Sequence, residues 1–278
     1  MPVERCFICE GKAVDLKLDR QYAVCTLCGL VFKKNLDKKG CRGNDVSPRS
    51  AQEGVRIEQK RMNIYRYFLK EINKRKHNKG RILDVGCGVG SFMGLVKQAG
   101  YEGYGIELSP QLASYAADHG LNVYNCSLEE RKFQDDYFDT VTLINVLDFV
   151  ADPYSLLLEI KRVLKKDGDI YLRVPNAKVQ IFLRAIFSRF LSVFGVKKIG
   201  EFFNYGFSSK NVRKLLERAG FKNIKIENSL LVYGDVYRYK IPFITLLKIM
   251  YDCLSRIIYR ISFRRFLTST SIAVNAVK

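Results

Sequence analysis

Four cysteines near the N-terminus have the type and spacing of metal ligands. Cys6 and Cys9 form one Cys-x-x-Cys pair, Cys25 and Cys28 form a second, and fifteen residues separate the two pairs. A gap of two residues lets both sulfurs of a pair face one ion, and two such pairs complete a tetrahedral zinc site. The sequence therefore predicts a structural zinc site with no coordination position left for catalysis. A redox or incidental role for the cysteines is the alternative.

A second group of residues has the pattern of a ligand-binding loop. In LDVGCGVGSF an acid, Asp84, is followed by Gly86, Gly88 and Gly90, and the next residue is serine. The loop lacks the lysine of a phosphate-cradling loop and the third glycine spacing of a dinucleotide fingerprint. Glu107 ends the apolar stretch YGIEL 21 residues after Gly86, where a carboxylate accepts hydrogen bonds from both hydroxyls of a ribose. The loop favours a nucleoside ligand without phosphate, whereas Glu107 taken alone does not separate S-adenosylmethionine from a nicotinamide cofactor.

The stretches after residue 80 follow one another in a specific order. ILDVGCGVGSF is followed by GYGIELSPQLASYA, by SLEERKFQDDYFDTVTLINVLDFVADPYSLLLEIKRVLKKDGDIYLRVPN and by FSSKNVRKLLERAGF. As a set these stretches resemble the class I S-adenosylmethionine-dependent methyltransferases, most of all the quinone-biosynthesis enzymes and their relatives that act on small molecules and glycans. The resemblance implies an α/β fold: a Rossmann-like, seven-stranded, mostly parallel sheet with flanking helices, its last strand reversed. It also implies S-adenosylmethionine as the cofactor.

The resemblance implies a role for each position of a cofactor site. The acid and the glycines of the loop would shape the pocket for the methionine and ribose parts, and Glu107 would bind the ribose hydroxyls. Leu108 would lie against adenine, Ser127 and Leu128 would approach its edge, and a further pair would line the pocket beneath the sulfonium. Position 127 is serine where relatives usually have aspartate, which weakens that contact. The expected cofactor-binding residues are Asp84, Gly86, Gly88, Gly90, Glu107, Leu108, Ser127, Leu128, Asn145 and Val146.

The catalytic residue is less clear from the sequence. Relatives often carry histidines in the segments that here read NVLDFV and FFNYGFSS, and neither segment contains one. Asp148 is the candidate general base, with a helix cap or a surface ion pair as alternative roles. Tyr205 is a weaker candidate for contact with the acceptor, or it packs. An acidic acceptor such as a phenol needs no strong base, because it gives up its proton readily. Because a sulfonium is already a good leaving group, alignment and exclusion of water can supply most of the acceleration.

Three segments must position these residues. Residues 1–37 are predicted to form a zinc ribbon with two short strands between its cysteine pairs, and residues 38–53, rich in glycine, serine and charge, a linker. Residues 54–278 would form the methyltransferase domain, which begins with a helix over about 55–75. Helical inserts are expected at about 177–203 and 240–266, after the fifth strand and before the last.

Both inserts combine apolar residues at helical spacing with arginine and lysine. The whole chain has 47 basic and 28 acidic residues, a formal charge of +19. One interpretation is a lid over the acceptor pocket or a contact between subunits; the other is a helix lying on an anionic membrane surface. Neither a signal peptide nor a spanning helix is expected. We therefore expect a cytoplasmic protein, with peripheral contact at the inner face of the membrane left open.

These observations converge on one function with two alternatives. We expect methyl transfer from S-adenosylmethionine to a small-molecule or lipid-linked acceptor of quinone or glycan type, on oxygen rather than carbon or nitrogen. The first alternative is an RNA methyltransferase that uses the zinc ribbon and the basic surface. Few aromatic residues in the ribbon, and no Asn-Pro-Pro-aromatic or Asp-Pro-Pro-aromatic motif after the fourth strand, argue against it. The second is a cofactor-binding scaffold without activity. The sequence leaves the acceptor and the oligomeric state open.

Overall fold

A small antiparallel sheet forms first along the chain. The computed structural model describes residues 5–35, 48, 50–75, 79–193, 202–230 and 242–278. The cysteine-containing segment provides β1 (Ala13–Asp15), β2 (Tyr22–Cys25) and β3 (Val31–Lys33). Strands β1 and β2 pair with Ala13 opposite Cys25, which confirms the two strands predicted between the cysteine pairs. Most of the predicted linker lies outside the described residues.

A seven-stranded sheet forms the centre of the rest of the chain. Its strands are β4 (Arg81–Val85), β5 (Glu102–Ile106), β6 (Asn122–Tyr124), β7 (Phe138–Ile144), β8 (Leu164–Pro175), β10 (Lys222–Asn228) and β11 (Ser271–Val277). Their spatial order is β10-β11-β8-β7-β4-β5-β6. Strands β4 to β8 pair in parallel and β11 pairs antiparallel with both of its neighbours. The Rossmann-like, mostly parallel sheet with a reversed last strand, predicted from the sequence, is confirmed.

One short strand leaves this domain to join the N-terminal sheet. Strand β9 (Tyr205–Gly206) lies between β8 and β10 in the chain, yet it pairs antiparallel with β3. The N-terminal sheet therefore has the order β1-β2-β3-β9. The ribbon is thus bonded through its backbone to the segment that follows the first helical insert.

The described helices connect the strands and cover the central sheet. Their bounds are α1 (Ala51–Gln59), α2 (Met62–Arg75), α3 (Ser91–Gln98), α4 (Pro110–Asp118), α5 (Leu128–Arg131), α6 (Pro153–Val163), α7 (Ala177–Val193), α8 (Ser209–Arg218) and α9 (Pro242–Ile261). Side-chain oxygens of Ser50, Asp152 and Ser208 accept backbone N–H bonds at the starts of α1, α6 and α8, as N-caps do.

Two of these helices differ from the single helix expected over residues 55–75. Helix α1 begins at Ala51, inside the predicted linker, and the chain turns at residues 60 and 61 before α2. The break has a physical reason, because Glu58 turns toward the glycine loop while α2 packs its apolar side on the sheet. The buried residues of α2 are Ile64, Tyr65, Phe68 and Ile72.

Helices α7 and α9 lie within the two ranges expected to be helical inserts. Residues 194–201 of the first range and 240–241 of the second lie outside the described residues. Among the helices that the structure describes, none combines the length and hydropathy needed to span a bilayer.

Candidate active site

The glycine loop lies between β4 and α3 and is enclosed by the protein itself. Gly86 has φ of 72°, and a Cβ there would lie 2.5 Å from a methyl carbon of Val146. Gly88 has φ of 58°, and a Cβ there would overlap a carboxylate oxygen of Glu58. Left-handed backbone and lack of space both require glycine at these positions. Val146, expected beneath the sulfonium, therefore packs directly against the predicted cofactor loop.

Glu58 of α1 places a carboxylate at the start of α3. One oxygen accepts the N–H of Val89 at 2.8 Å and the other accepts the N–H of Ser91 at 2.9 Å. Such N–H groups at a helix N-terminus have no partner within the helix and favour an anion. Burial raises the pKa of Glu58, and the hydrogen bonds from Ser91 and Val89 oppose that shift. Glu58 therefore fixes the glycine loop to α1.

Two more buried carboxylates stand at the ends of β4 and β5. Glu107 accepts the N–H of Gly88 at 2.9 Å and that of Ser109 at 2.8 Å, which ties the acid to the loop. Asp84 accepts a hydrogen bond of 2.5 Å from the hydroxyl of Thr142 on β7. Burial raises the pKa of Asp84 to about 8, and the charges of Glu58 and Glu107 add to this shift. Three acids thus surround the loop, an arrangement that favours a cationic ligand.

The remaining predicted cofactor residues have different environments. Leu108 is half exposed next to Glu107. The hydroxyl of Ser127 caps α5 in a capping box with Glu130, which accounts for the serine at this position. Leu128 is buried in the core. Their expected contacts with adenine stay predictions.

Asn145 begins the turn after β7 in a left-handed conformation, with φ of 60°. Its N–H bonds the carbonyl of Arg173 at 3.0 Å, and the Arg173 guanidinium donates to its side-chain oxygen. Asparagine tolerates this backbone region better than most residues. The turn directs the chain from Val146 toward Asp148.

Asp148 lies in this turn with 1% of its surface exposed. Burial raises its pKa to about 7, while the charges of Arg173 and Arg61 oppose the shift. Among the described residues, its Oδ1 atom has no hydrogen-bond partner. The N-cap of the next helix is Asp152, so Asp148 fills neither of the alternative roles of helix cap and surface ion pair. A buried carboxyl that titrates near neutrality suits a general base.

Tyr205 packs rather than pointing a free hydroxyl at a ligand. Its hydroxyl donates to the carbonyl of Ala151 at 2.8 Å, and its ring meets the ring of Phe7 edge-on at 5.2 Å. Of the two roles weighed for Tyr205 in the sequence, these contacts favour packing.

The four cysteines of the ribbon converge in space. The Cys6 and Cys28 sulfurs are 3.6 Å apart, those of Cys9 and Cys25 are 3.4 Å apart, and all four lie within 4.8 Å of one another. Zn–S bonds of about 2.3 Å in a tetrahedron separate the sulfurs by about 3.8 Å. The cluster therefore has the dimensions of a four-cysteine metal site.

Sequence reasoning missed Glu58 and Arg173 as parts of the site. Arg173 carried a signal, because it is a charged residue within the apolar stretch IYLRV, and such a residue needs a buried partner. Glu58 stands among polar neighbours in IEQKR and carried none.

Comparisons with known proteins identify the family of this chain. A family model described as a methyltransferase domain matches residues 57–226, more than half of the chain. An uncharacterised protein of Methanocaldococcus jannaschii is 31% identical over 160 residues, which is 58% of this chain and 73% of that protein. A ubiquinone biosynthesis O-methyltransferase of Methylococcus capsulatus is 31% identical over 113 residues, which is 38% of this chain and 48% of the enzyme. The chain thus matches about half the length of that enzyme.

Solved structures show the same fold at low sequence identity. Phosphoethanolamine N-methyltransferase 2 of Haemonchus contortus, in complex with S-adenosyl-L-methionine, has a TM-score of 0.57 at 17% identity; the match covers 89% of this chain and 61% of that one. An S-adenosylmethionine-dependent methyltransferase of Archaeoglobus fulgidus has a TM-score of 0.51 at 19% identity, covering 78% of this chain and 94% of that one.

Proposed function

Because this chain belongs to the class I S-adenosylmethionine-dependent methyltransferases, we propose that it methylates an oxygen of a small-molecule or lipid-linked acceptor. The O-methyltransferases of ubiquinone biosynthesis, about 30% identical over 38% of this chain, support oxygen as the methylated atom. The observation that carries the proposal is Asp148, a buried carboxyl with an unpartnered oxygen at the end of β7.

The proposed cofactor site is the acid-lined loop. Bound S-adenosylmethionine would supply a methyl group on a sulfonium that is already a good leaving group. Glu107 would release the loop N–H groups in part and accept the ribose hydroxyls. Asp84 and Glu58 would lie near a ligand that is cationic at its sulfonium and its amine, and that positive charge would favour ionisation of both carboxyls. Val146, packed on Gly86, would close the pocket from the side of β7.

Asp148 would accept the proton of the acceptor hydroxyl. Its pKa of about 7 lets a large fraction of the carboxyl be ionised at neutral pH while keeping it a stronger base than an exposed aspartate. Arg173 and Arg61 would stabilise its ionised form. An acceptor such as a phenol or a sugar hydroxyl fits this arrangement.

We further propose that the cysteine cluster holds a structural zinc ion. The four sulfurs have tetrahedral dimensions, and the ribbon is too small to fold on its own core. Four thiolates leave no ligand position for the acceptor, so the ion would act on structure alone.

The position of α9 supports a membrane surface as a partner. This helix turns polar residues toward the protein: Ser255 bonds the Thr268 hydroxyl at 2.8 Å, and the Tyr251 hydroxyl donates to the Thr268 carbonyl at 2.6 Å. Its outward side is apolar, with exposed fractions between 42% and 73%. That side consists of Leu246, Ile249, Met250, Leu254, Ile257 and Ile261.

Charge identifies the occupant that we propose for this apolar side. Arginines at 256, 260, 264 and 265 are exposed at the end of α9 and just beyond it. Phe263 precedes Arg264 and Phe266 follows Arg265, with 88% and 65% exposure. Apolar residues flanked by arginine are typical of helices that lie on anionic bilayers. A lipid-linked acceptor would then reach the enzyme from the bilayer.

The ribbon contacts weigh against an RNA target. Phe7 packs on Tyr205, Tyr22 packs on Phe202, and Phe32 is 2% exposed, so the ribbon's aromatic rings are not available to stack on bases. Label in the RNA pool of the following test would identify an RNA acceptor.

Transfer of labelled methyl tests the function. Wild type and the Glu107→Ala variant are incubated with labelled S-adenosylmethionine and a cell extract that is then separated into RNA, lipid and water-soluble pools. We expect label in the lipid or small-molecule pool that the variant fails to incorporate. Label in RNA, or in no pool despite cofactor binding, contradicts the proposal, the second result favouring a non-catalytic scaffold.

Vesicle sedimentation tests the membrane surface. The full chain is mixed with phosphatidylcholine vesicles that contain or lack phosphatidylglycerol. We expect binding to the anionic vesicles that Leu254→Glu with Ile257→Glu abolishes, and that Leu158→Glu, at an exposed position of α6, retains. Equal sedimentation of all variants contradicts the surface, as does a dimer in sedimentation velocity that the double variant alone dissociates.

A further inference from the structure

The ribbon is built into the catalytic domain. Phe32 of β3 pairs with Tyr205 of β9, and Val31 pairs with Gly206. The N–H of Lys33 extends this pairing by bonding the Asn204 carbonyl at 2.9 Å. A strand of two residues forms few bonds in all, so its pairing with β3 is a large part of what fixes β9 to the ribbon.

Beyond β9 the contacts continue to the turn that carries Asp148. The N–H groups of Asn204 and Tyr205 both donate to the Asp148 carbonyl, at 3.0 and 3.2 Å. The Asn204 side-chain amide donates to the Phe149 carbonyl at 2.6 Å. The rings of Phe149 and Phe203 lie 3.9 Å apart. Backbone bonds therefore run without interruption from the ribbon sheet to the candidate base.

Side chains from α7, α8 and the core reinforce the connection between the ribbon and the domain. Arg184 of α7 pairs with Asp19 at 3.3 Å, and both side chains are mostly buried. Lys210 of α8 donates to the Leu27 carbonyl at 3.1 Å. The apolar side chains of the ribbon join the same core cluster as those of β7, β8 and α8; they are Cys6, Ile8, Ala23, Cys25, Cys28, Leu30 and Phe32.

From these contacts we infer that the metal ribbon supports the acceptor side of the active site: its sheet holds β9, and β9 holds the turn that contains Asp148. The assignment of Asp148 as the base rests on the proposed function. Asn204 is then a positioning residue, because it acts on the acceptor only through Asp148.

Loss of the metal should weaken the acceptor side of the site and leave cofactor binding intact. Without the ion, the ribbon loses its main constraint, and β9 loses the strand to which it pairs. The turn around Asp148 then loosens, water reaches its carboxyl, and its pKa falls toward the ordinary range. The glycine loop, with Glu58 and Glu107, makes no described bond to the ribbon, so binding of the cofactor product S-adenosylhomocysteine should persist.

The test compares metal-loaded full-length protein with chelator-treated protein and with Cys28→Ser. Three quantities are measured: amide hydrogen exchange at residues 204 and 205, affinity for S-adenosylhomocysteine, and methyl transfer to the extract pool labelled by wild type. We expect exchange at the two amides to rise about tenfold or more and transfer to fall about tenfold or more, while affinity changes less than about threefold. Cys253→Ser, which removes an exposed thiol of α9, is the matched control and should change nothing.

Asn204→Ala tests the same connection with the metal site intact. We expect full metal content and unchanged S-adenosylhomocysteine affinity, with transfer lowered and its pH midpoint shifted below about 7. Unchanged exchange at residues 204 and 205 after metal removal, or equal losses of affinity and transfer, overturns the inference. If wild type labels no pool, the proposed function fails, whereas exchange and affinity still decide the role of the ribbon.

Discussion

The two sides of the active site are assembled in different ways. The cofactor side, around Asp84, Gly88 and Glu107, comes from two consecutive parallel strands and the loops that follow them. The acceptor side, around Asp148, depends on β9 and on the ribbon sheet near the N-terminus, more than 100 residues earlier in the chain. The first side is therefore a local construction, and the second depends on contacts between segments that are far apart in the sequence.

The electrostatics of the two sides differ as well. Burial raises the pKa of Asp84, the charges of Glu58 and Glu107 add to that shift, and a cationic ligand would oppose it. Asp148 instead stands near Arg173 and Arg61, which moderate the effect of its burial. One side therefore suits binding of a cation, and the other suits uptake of a proton.

On the cofactor side, a methyl group added to the loop should have the strongest effect. Gly88→Ala would place a Cβ on the Glu58 carboxylate in a left-handed backbone, at a cost of about 3 kcal/mol in unfolding free energy. Gly94→Ala is the control, because its Cβ would meet nothing within 4 Å on a helix, and it should add about 0.5–1 kcal/mol. Urea unfolding measures both. If Gly88→Ala lowers the unfolding free energy by no more than Gly94→Ala changes it, the loop is not tightly packed against Glu58.

A somewhat smaller effect concerns pH. Asp84 holds its proton up to about pH 8 when folded, whereas an aspartate of the unfolded chain titrates near pH 4. Between these values the folded state binds more protons, so stability falls as pH rises. We expect wild type to lose about 2 kcal/mol relative to Asp84→Asn between about pH 5.5 and about pH 7.5. Parallel stability curves for the two proteins in denaturant titrations would mean that Asp84 is ionised in the folded state.

The smallest effect of the three is on cofactor affinity. Glu107→Ala removes the carboxylate proposed to bind the ribose and should weaken S-adenosylhomocysteine binding by about tenfold to thirtyfold. Glu129→Ala removes an exposed acid of α5 and should leave binding unchanged. Isothermal titration calorimetry compares the two, and equal affinities would place the ribose elsewhere.

The same contrast explains what the sequence could reveal. The glycine spacing, the acid after β5 and the order of elements predicted the central sheet and the loop, because these features are local. The cysteine spacing predicted the cluster for the same reason. The pairing of β3 with β9 has no local signal in the sequence. The two residues YG within FFNYGFSS do not predict a strand, and they form one because they pair with the edge of the ribbon sheet. Glu58 was likewise hidden, because its role depends on a helix that folds back on the loop.

The substitution Asp148→Asn removes the proposed base and little else, since asparagine keeps the shape of the side chain and cannot accept the proton. Methyl transfer to the labelled pool is measured against pH, together with S-adenosylhomocysteine affinity. If Asp148 is the base, the wild-type rate rises through about pH 7, the variant rate is lower by about 10²–10⁴-fold, and the affinities are equal. A variant that transfers methyl as fast as wild type with the same pH profile would contradict the assignment of Asp148 as the base.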